Sequence, residues 1–268
     1  MLGAIIGDVV GSAYEFNPVK TKDFELFSQR SRPTDDSIMT VAVALACLDT
    51  RCADEDSFKN ALVGRMHELG HKYPRAGYGG RFYCWLRFGH TKPYNSYGNG
   101  SGMRVSPVAW AAKSLSEAEL YAKWSAEVTH DHPEGIKGAQ AVAAAIFLAR
   151  EGKTKDEIRA YIEEKYYPLG FTLDEIRPEY DFDVTCRGSV PQAIECFLES
   201  DSYEDAIRNA VSLGGDADTQ AAMAGAIAEA YYGIPEELSD KVAGYLDDTI
   251  IGYYVAWMER YMKQGQKG

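Results

Sequence analysis

Two stripes of small residues constrain this chain more than any other feature. Gly3, Gly7 and Gly11 recur every four residues along the first apolar run, and Ala217, Ala221, Ala224/Gly225 and Ala228 do so near the other end. At 3.6 residues per turn this spacing gathers the small residues on one helix face. Such a face lets two helix axes approach closely, so both runs belong at the centre of a bundle. Helical spacing continues elsewhere. Ile38, Val41, Leu45 and Leu48 follow it, as do Val190, Ala193/Ile194 and Phe197/Leu198. Val242, Tyr245/Leu246, Ile250, Tyr253 and Trp257 trace a longer stripe, and residues 134–151 and 217–231 are alanine-rich. Strand-like alternation is confined to Phe182, Val184 and Cys186, too short a run to anchor a sheet. The pattern predicts an all-α fold of about ten helices.

A chain of 268 residues can bury its own core without staples. Two stretches interrupt the helical pattern, Tyr73–Gly102 and Tyr166–Thr185. Neither is a Gly/Ser linker, and composition does not change after either, so one domain over residues 1–268 is expected. Loops this long within a domain are usually functional. The five cysteines, Cys47, Cys52, Cys84, Cys186 and Cys196, are scattered without a CxxC pair. That argues against a disulfide framework or structural zinc and for a reducing, cytoplasmic compartment. The N-terminal run lacks a basic segment and meets Asp8 too early for a signal peptide. The longest apolar runs, Val41–Leu48 and Ala141–Ala149, fall far short of the roughly 18 residues of a membrane span. A net charge of −12 argues against general nucleic-acid binding and against adhesion to anionic membranes. Oligomeric state is left open, and a monomer is compatible with all of this.

The charge is uneven. Between Glu68 and Glu117 no acid occurs, while Lys72, Arg75, Arg81, Arg87, Lys92, Arg104 and Lys113 do, interleaved with eight aromatics from Tyr73 to Tyr97. Cations beside aromatics in an acidic protein suit an anionic ligand with a planar base. A buried aromatic cluster with its cationic ends turned outward accounts for the same residues.

Thr34-Asp35-Asp36-Ser37 stands before one amphipathic run, and Asp216-Ala217-Asp218-Thr219, after Gly214-Gly215, stands before another. A helix N-cap explains one such residue per start, with added acid favoured by the dipole. It does not explain two aspartates and a threonine at both. Four carboxylates with two hydroxyls, and no adjacent His or Cys, suit hard divalent cations rather than zinc or copper. Four carboxylates exceed what one Mg²⁺ takes, so two ions are the natural stoichiometry. Tyr94–Arg104 is a glycine-rich loop before a helix expected near Val105, able to offer backbone N–H groups to phosphate or to be a plain turn. His130-Asp131-His132 precedes another helix and reads as a cap or as part of a site.

Together these motifs resemble the ADP-ribosylglycohydrolase family. The resemblance runs through G-x-x-x-G-D-x-x-G-S-x-Y-E (Gly3 to Glu15), T-D-D-S (Thr34 to Ser37), Y-G-N-G-S-G-M-R-V (Tyr97 to Val105), Thr129-His130 and S-L-G-G-D-A-D-T (Ser212 to Thr219). It implies a compact, single-domain orthogonal helical bundle with two Mg²⁺ or Mn²⁺ ions at the base of a cleft. By motif position, Thr34, Asp35, Asp36, Asp216, Asp218 and Thr219 would bind the metals. Glu15, with Asp35 and Asp36, would be catalytic. Ser96, Tyr97, Gly98, Asn99, Gly100, Met103 and His130 would hold ADP-ribose. Gly102 stands where alanine is common in the family, and the acceptor-side loops match no particular branch.

The activity implied is hydrolysis of the N- or O-glycosidic bond between ADP-ribose and an acceptor, a protein or a small molecule. Glu15 or one of the paired aspartates would be general acid/base; spacing does not say which. A catalytically silent ADP-ribose-binding or structural protein, and a hydrolase of another ribosyl nucleotide, are the alternatives.

Overall fold

The computed structural model describes residues 1–262; the last six residues of the expected 1–268 domain lie outside the described residues. The chain runs through α1 (Leu2–Gly11), α2 (Asp35–Thr50), α3 (Glu55–Lys72), α4 (Gly80–Arg87) and α5 (Gly100–Met103). It continues with α6 (Ser106–Ala111), α7 (Leu115–Glu127), α8 (Pro133–Arg150), α9 (Lys155–Lys165) and α10 (Leu173–Ile176). The last third holds α11 (Cys186–Leu198), α12 (Tyr203–Ser212), α13 (Ala217–Tyr232), α14 (Glu236–Ala243) and α15 (Asp248–Trp257), then a π turn, Met258–Met262. No strand occurs among the described residues, and the only extended pairing is a single bridge between Gly98 and Thr185. The all-α expectation holds, with more and shorter helices than the periodicity resolved.

The two small-residue stripes meet. α1 lies along α13, and α13 also packs on α8, α11 and α12, so it is the central helix. Every residue of α1 is buried, as is α13 from Ala217 to Glu229. The approach is backbone to backbone: a Cβ on Gly11 would sit 2.5 Å from the Ala217 carbonyl oxygen, and one on Gly7 would fall inside the Ala221 carbonyl. The remaining helices wrap this pair in one large apolar cluster, with a small satellite of Ala112, Ala118 and Phe147.

Local chemistry sets several boundaries. Asp54, Ser114, Thr154 and Ser202 cap their helices through side-chain oxygens. Gly214, at φ +67°, turns the chain between α12 and α13. The long C-terminal stripe is divided because Asp247 accepts from the Thr249 and Ile250 amides and starts a new helix. The glycine loop turns helical earlier than expected, at Gly100 rather than near Val105. All five cysteines are free thiols. Among the described residues no helix is long and apolar enough to cross a membrane.

Candidate active site

The N-termini of α2 and α13 meet the C-terminal half of α1 at the floor of a cleft of about 400 Å³. How each helix start is capped decides which carboxylates are available there. At α2 the cap is completed from outside. Asp8, in the middle of α1 and fully buried, accepts from the Thr34 amide (2.8 Å), the Thr34 hydroxyl (2.6 Å), the Ser37 amide (2.9 Å) and the Ser37 hydroxyl. Thr34 itself accepts only a 3.3 Å bond from the Asp36 amide. Asp35 and Asp36 are thereby left over. At α13, Asp216 occupies the N-cap position without capping; its Oδ2 instead accepts from Asn99 Nδ2 at 2.7 Å. Asp218 Oδ1 accepts from the Thr219 amide at 2.9 Å.

The carboxylates so released converge, beside Asp8. Oxygens of Asp8, Asp36 and Asp218 lie within 4.8 Å of one another, and so do oxygens of Glu15, Asp216 and Asp218. Asp218 belongs to both triads. Thr219 Oγ1 reaches Asp36 Oδ2 at 3.3 Å, joining the two helix starts, and Asp36 Oδ1 is buried with no hydrogen-bond partner. Asp35 stands on the cleft wall, outside both triads.

Uncompensated charge dominates the electrostatics. Burial, then Asp218, push the carboxyls of Asp35 and Asp36 well above the ordinary carboxylate range. Asp218 is raised well above it by burial and by Asp216. Burial and Asp218 raise Glu15 to about 8, against a smaller lowering by Arg32. Asp216 is raised to about 6 by burial, with the Asn99 hydrogen bond opposing. Like charges this close are stable only if protons or cations neutralise them. The donors fit divalent cations: every one is oxygen, one carboxylate oxygen is orphaned and buried, and one aspartate is shared between two triads.

Above this floor the cleft is walled by the glycine loop. Its residues Ser96, Gly98, Asn99, Gly100 and Met103 line the cavity, as do His130, Arg81 and Tyr94. The loop is pinned to the entry of α11 by Asn99 N to Val184 O (2.8 Å), Cys186 N to Tyr97 O (3.0 Å) and Cys186 Sγ to Gly98 O (3.0 Å). The three residues His130-Asp131-His132 do different work. His130 is buried and faces the loop, Asp131 Oδ1 accepts from the Asn95 amide (2.6 Å), and His132 caps α8.

The sequence model of the ADP-ribosylglycohydrolase family matches residues 1–266. The chain belongs to that family. It is 28% identical to ADP-ribosylhydrolase ARH3 of Bos taurus, with 94% of this chain and 89% of that protein covered. The Homo sapiens ARH3 is likewise 28% identical, over 94% of this chain and 90% of its own length. ADP-ribosylarginine hydrolase Tri1 of Pseudomonas putida (strain GB-1) is 30% identical, over 91% of this chain and 73% of its own length. A solved structure described as an ADP-ribosylglycohydrolase-related protein complex superposes with a TM-score of 0.66 at 22% identity, covering 96% of this chain and 95% of its own, which shows the shared fold.

Most of the residues expected at the site from sequence gather in this one cleft, which Glu15, Asp35, Asp36, Asp216, Asp218 and Thr219 all line. Tyr97 does not line it; its ring is half exposed and packs edge-on against His132. Thr34 lies beneath, buried against Asp8. Of the seven cations in the acid-free segment, Arg81 and Arg104 line the cleft and the other five are exposed. A larger recess of about 660 Å³, behind Arg81 and Tyr94, contains no carboxylate. Sequence reasoning missed Asp8 as a site residue, and also Phe16, Phe182 and Val184 at the cleft mouth. Asp8 carried a signal: a lone acid inside an apolar helical run is buried, and a buried carboxylate requires partners.

Proposed function

We propose that this protein hydrolyses the N- or O-glycosidic bond between ADP-ribose and an acceptor, with two divalent cations, Mg²⁺ or Mn²⁺, as cofactors. The observation that carries this reading is the pair of carboxylate triads sharing Asp218 on the floor of a cleft walled by the glycine loop. Asp36 and Asp218 would hold one ion, and Glu15, Asp216 and Asp218 the other, with Thr34, Asp35 and Thr219 as neighbouring oxygen donors; the oxygens of Asp8 already accept four hydrogen bonds from Thr34 and Ser37, so Asp8 holds the α2 start in place beside the ions. Bound there, the cations supply Lewis acidity and a fixed positive charge beside the scissile bond.

The chain's own residues supply the rest. Gly98 and Gly100, without side chains, let the diphosphate approach the loop backbone and the His130 ring facing it, while Ser96, Asn99 and Met103 bind the remainder of ADP-ribose; Tyr97, outside the cleft, takes no part. Asn99 also holds Asp216, through the 2.7 Å bond, so the loop and the metal floor are coupled. Departure of the acceptor leaves oxocarbenium character on the ribose carbon, and a carboxyl must exchange protons with acceptor and water. Asp8, Asp36, Asp216 and Asp218 are buried, whereas Glu15 and Asp35 keep partial exposure to the cleft. Glu15 and Asp35 are therefore best placed for that exchange, and Asp36, from among the ligands, for orienting the sugar. Five free thiols agree with a reducing, cytoplasmic setting.

The test is release of ADP-ribose from a panel of defined linkages (arginine, serine, acyl, a nucleic-acid end, small-molecule acceptors) in Mg²⁺ or Mn²⁺. Turnover of at least one linkage, abolished by chelator, is expected. Undiminished release in excess chelator, or binding of ADP-ribose with no release from any linkage, overturns the reading.

A further inference from the structure

Arg104 is 1% exposed, and among the described residues no carboxylate comes within ion-pairing distance of its guanidinium. Its Nη2 donates to Ser125 O (3.0 Å) and to Thr129 Oγ1 (2.8 Å), and its Nε is buried without a partner. A buried cation facing only neutral acceptors is costly unless something anionic comes to it. Burial lowers its pKa only to about 10, so it keeps its charge at neutral pH.

The hydrogen bonds beyond it have a fixed direction. A guanidinium only donates, so Thr129 Oγ1 is its acceptor. The one other partner of that oxygen among the described residues is His130 Nδ1, at 2.8 Å. Thr129 Oγ1 has room to accept from both neighbours, but its buried hydroxyl proton would then have no acceptor among the described residues; it therefore goes to Nδ1, and a neutral imidazole that accepts at Nδ1 carries its own proton on Nε2. Burial, then Arg104 and Arg81, hold His130 well below its ordinary pKa, so the ring is neutral. Nε2 points at the glycine loop: a Cβ on Gly100 would lie 3.2 Å from it and one on Gly98 3.7 Å.

We propose that Arg104 is a positioning residue which, through Thr129, locks His130 in the Nε2–H tautomer so that the histidine donates a hydrogen bond to the diphosphate of the ligand. The opposite tautomer would turn a lone pair toward an anion. The identity of the ligand rests on the ADP-ribose reading above; the tautomer does not.

The experiment is ¹⁵N NMR of the histidine side chains in the full chain, with the His130 signals assigned by their loss in His130→Gln. The wild-type protein is expected to give a pyrrole-type shift at Nε2 and a pyridine-type shift at Nδ1. Thr129→Ser keeps the hydroxyl and this pattern. Thr129→Val and Arg104→Met are expected to give a mixture of tautomers, and Thr129→Val to weaken ADP-ribose binding by roughly tenfold, the size of one hydrogen bond to a charged group. Arg104→Met risks misfolding; the Thr129 pair decides without it. An Nδ1–H tautomer in the wild type, or a Thr129→Val protein with wild-type tautomer and affinity, overturns the proposal. Failure of the wild type to bind ADP-ribose would instead strike the functional reading, with the tautomer still decided by NMR.

Discussion

Replacing Gly7 with alanine adds a single methyl group to the centre of the α1–α13 contact. In an open helix position that change stabilises, by about 1 kcal/mol, because alanine is the better helix former. At Gly7 the new carbon would lie 2.6 Å from the Ala222 amide nitrogen and closer still to the Ala221 carbonyl. An ordinary carbon contact needs about 3.5–4 Å, so the helices must separate by about 1 Å or more. Overpacking of this kind costs roughly 1–3 kcal/mol, and here it disturbs the whole backbone-to-backbone seam. Taking the upper end of that cost, since backbone meets backbone, and subtracting the roughly 1 kcal/mol of helix propensity, we expect a net loss of about 2 kcal/mol, a fall in Tm of about 4 °C for a chain of this size. Gly64, in the middle of α3, is the control: nothing lies within 4 Å of a Cβ built there, so Gly64→Ala should stabilise by roughly 0.5–1 kcal/mol. Thermal and urea unfolding of both variants, in chelator to remove metal linkage, measures the two signs. If Gly7→Ala is neutral or stabilising like Gly64→Ala, the close packing of α1 on α13 is wrong, and with it the means by which Asp8 reaches Asp218.

Two more outcomes follow from the charge cluster. The folded chain holds the Glu15 proton up to about pH 8 while the unfolded chain releases it near the ordinary glutamate value of 4.5, so metal-free stability should fall as pH rises through that window. Urea unfolding from pH 5 to 8 checks this, with a flatter profile expected in saturating Mn²⁺ and a shallower metal-free slope in Glu15→Gln. Asn99→Ala removes the bonds to Asp216 and to Ser189 Oγ (3.1 Å) and should weaken metal binding about 10- to 100-fold, read by titration calorimetry.

What sequence made legible was whatever is carried by local spacing. The Gly3–Gly11 and Ala217–Ala228 stripes announced a close helix pair because helical periodicity alone puts them on one face. The surplus of acid at Thr34–Ser37 and Asp216–Thr219 marked the floor of the cleft, since capping uses one acceptor and leaves the others over. The roles that depend on residues far apart in sequence were hidden. Asp8 reads as an isolated acid until α1 is laid against the start of α2, where it takes over the capping of that helix. Asp216 reads as an N-cap until Asn99 arrives from the loop. The aromatics at the cleft mouth, Phe16 and Phe182, stack at 6.4 Å from segments that share no periodic pattern. The C-terminal stripe concealed a break at Asp247 because an aspartate cap between two apolar turns leaves their spacing almost undisturbed.

Two cations sharing one aspartate is the arrangement we propose for this cleft floor. Equilibrium dialysis against Mn²⁺, with stoichiometry counted per chain, tests it most directly. The wild-type protein should bind two ions, and both should be lost from the high-affinity range in Asp218→Asn, the residue common to the two triads. One ion or none in the wild type, or two ions still tightly held by Asp218→Asn, would contradict it.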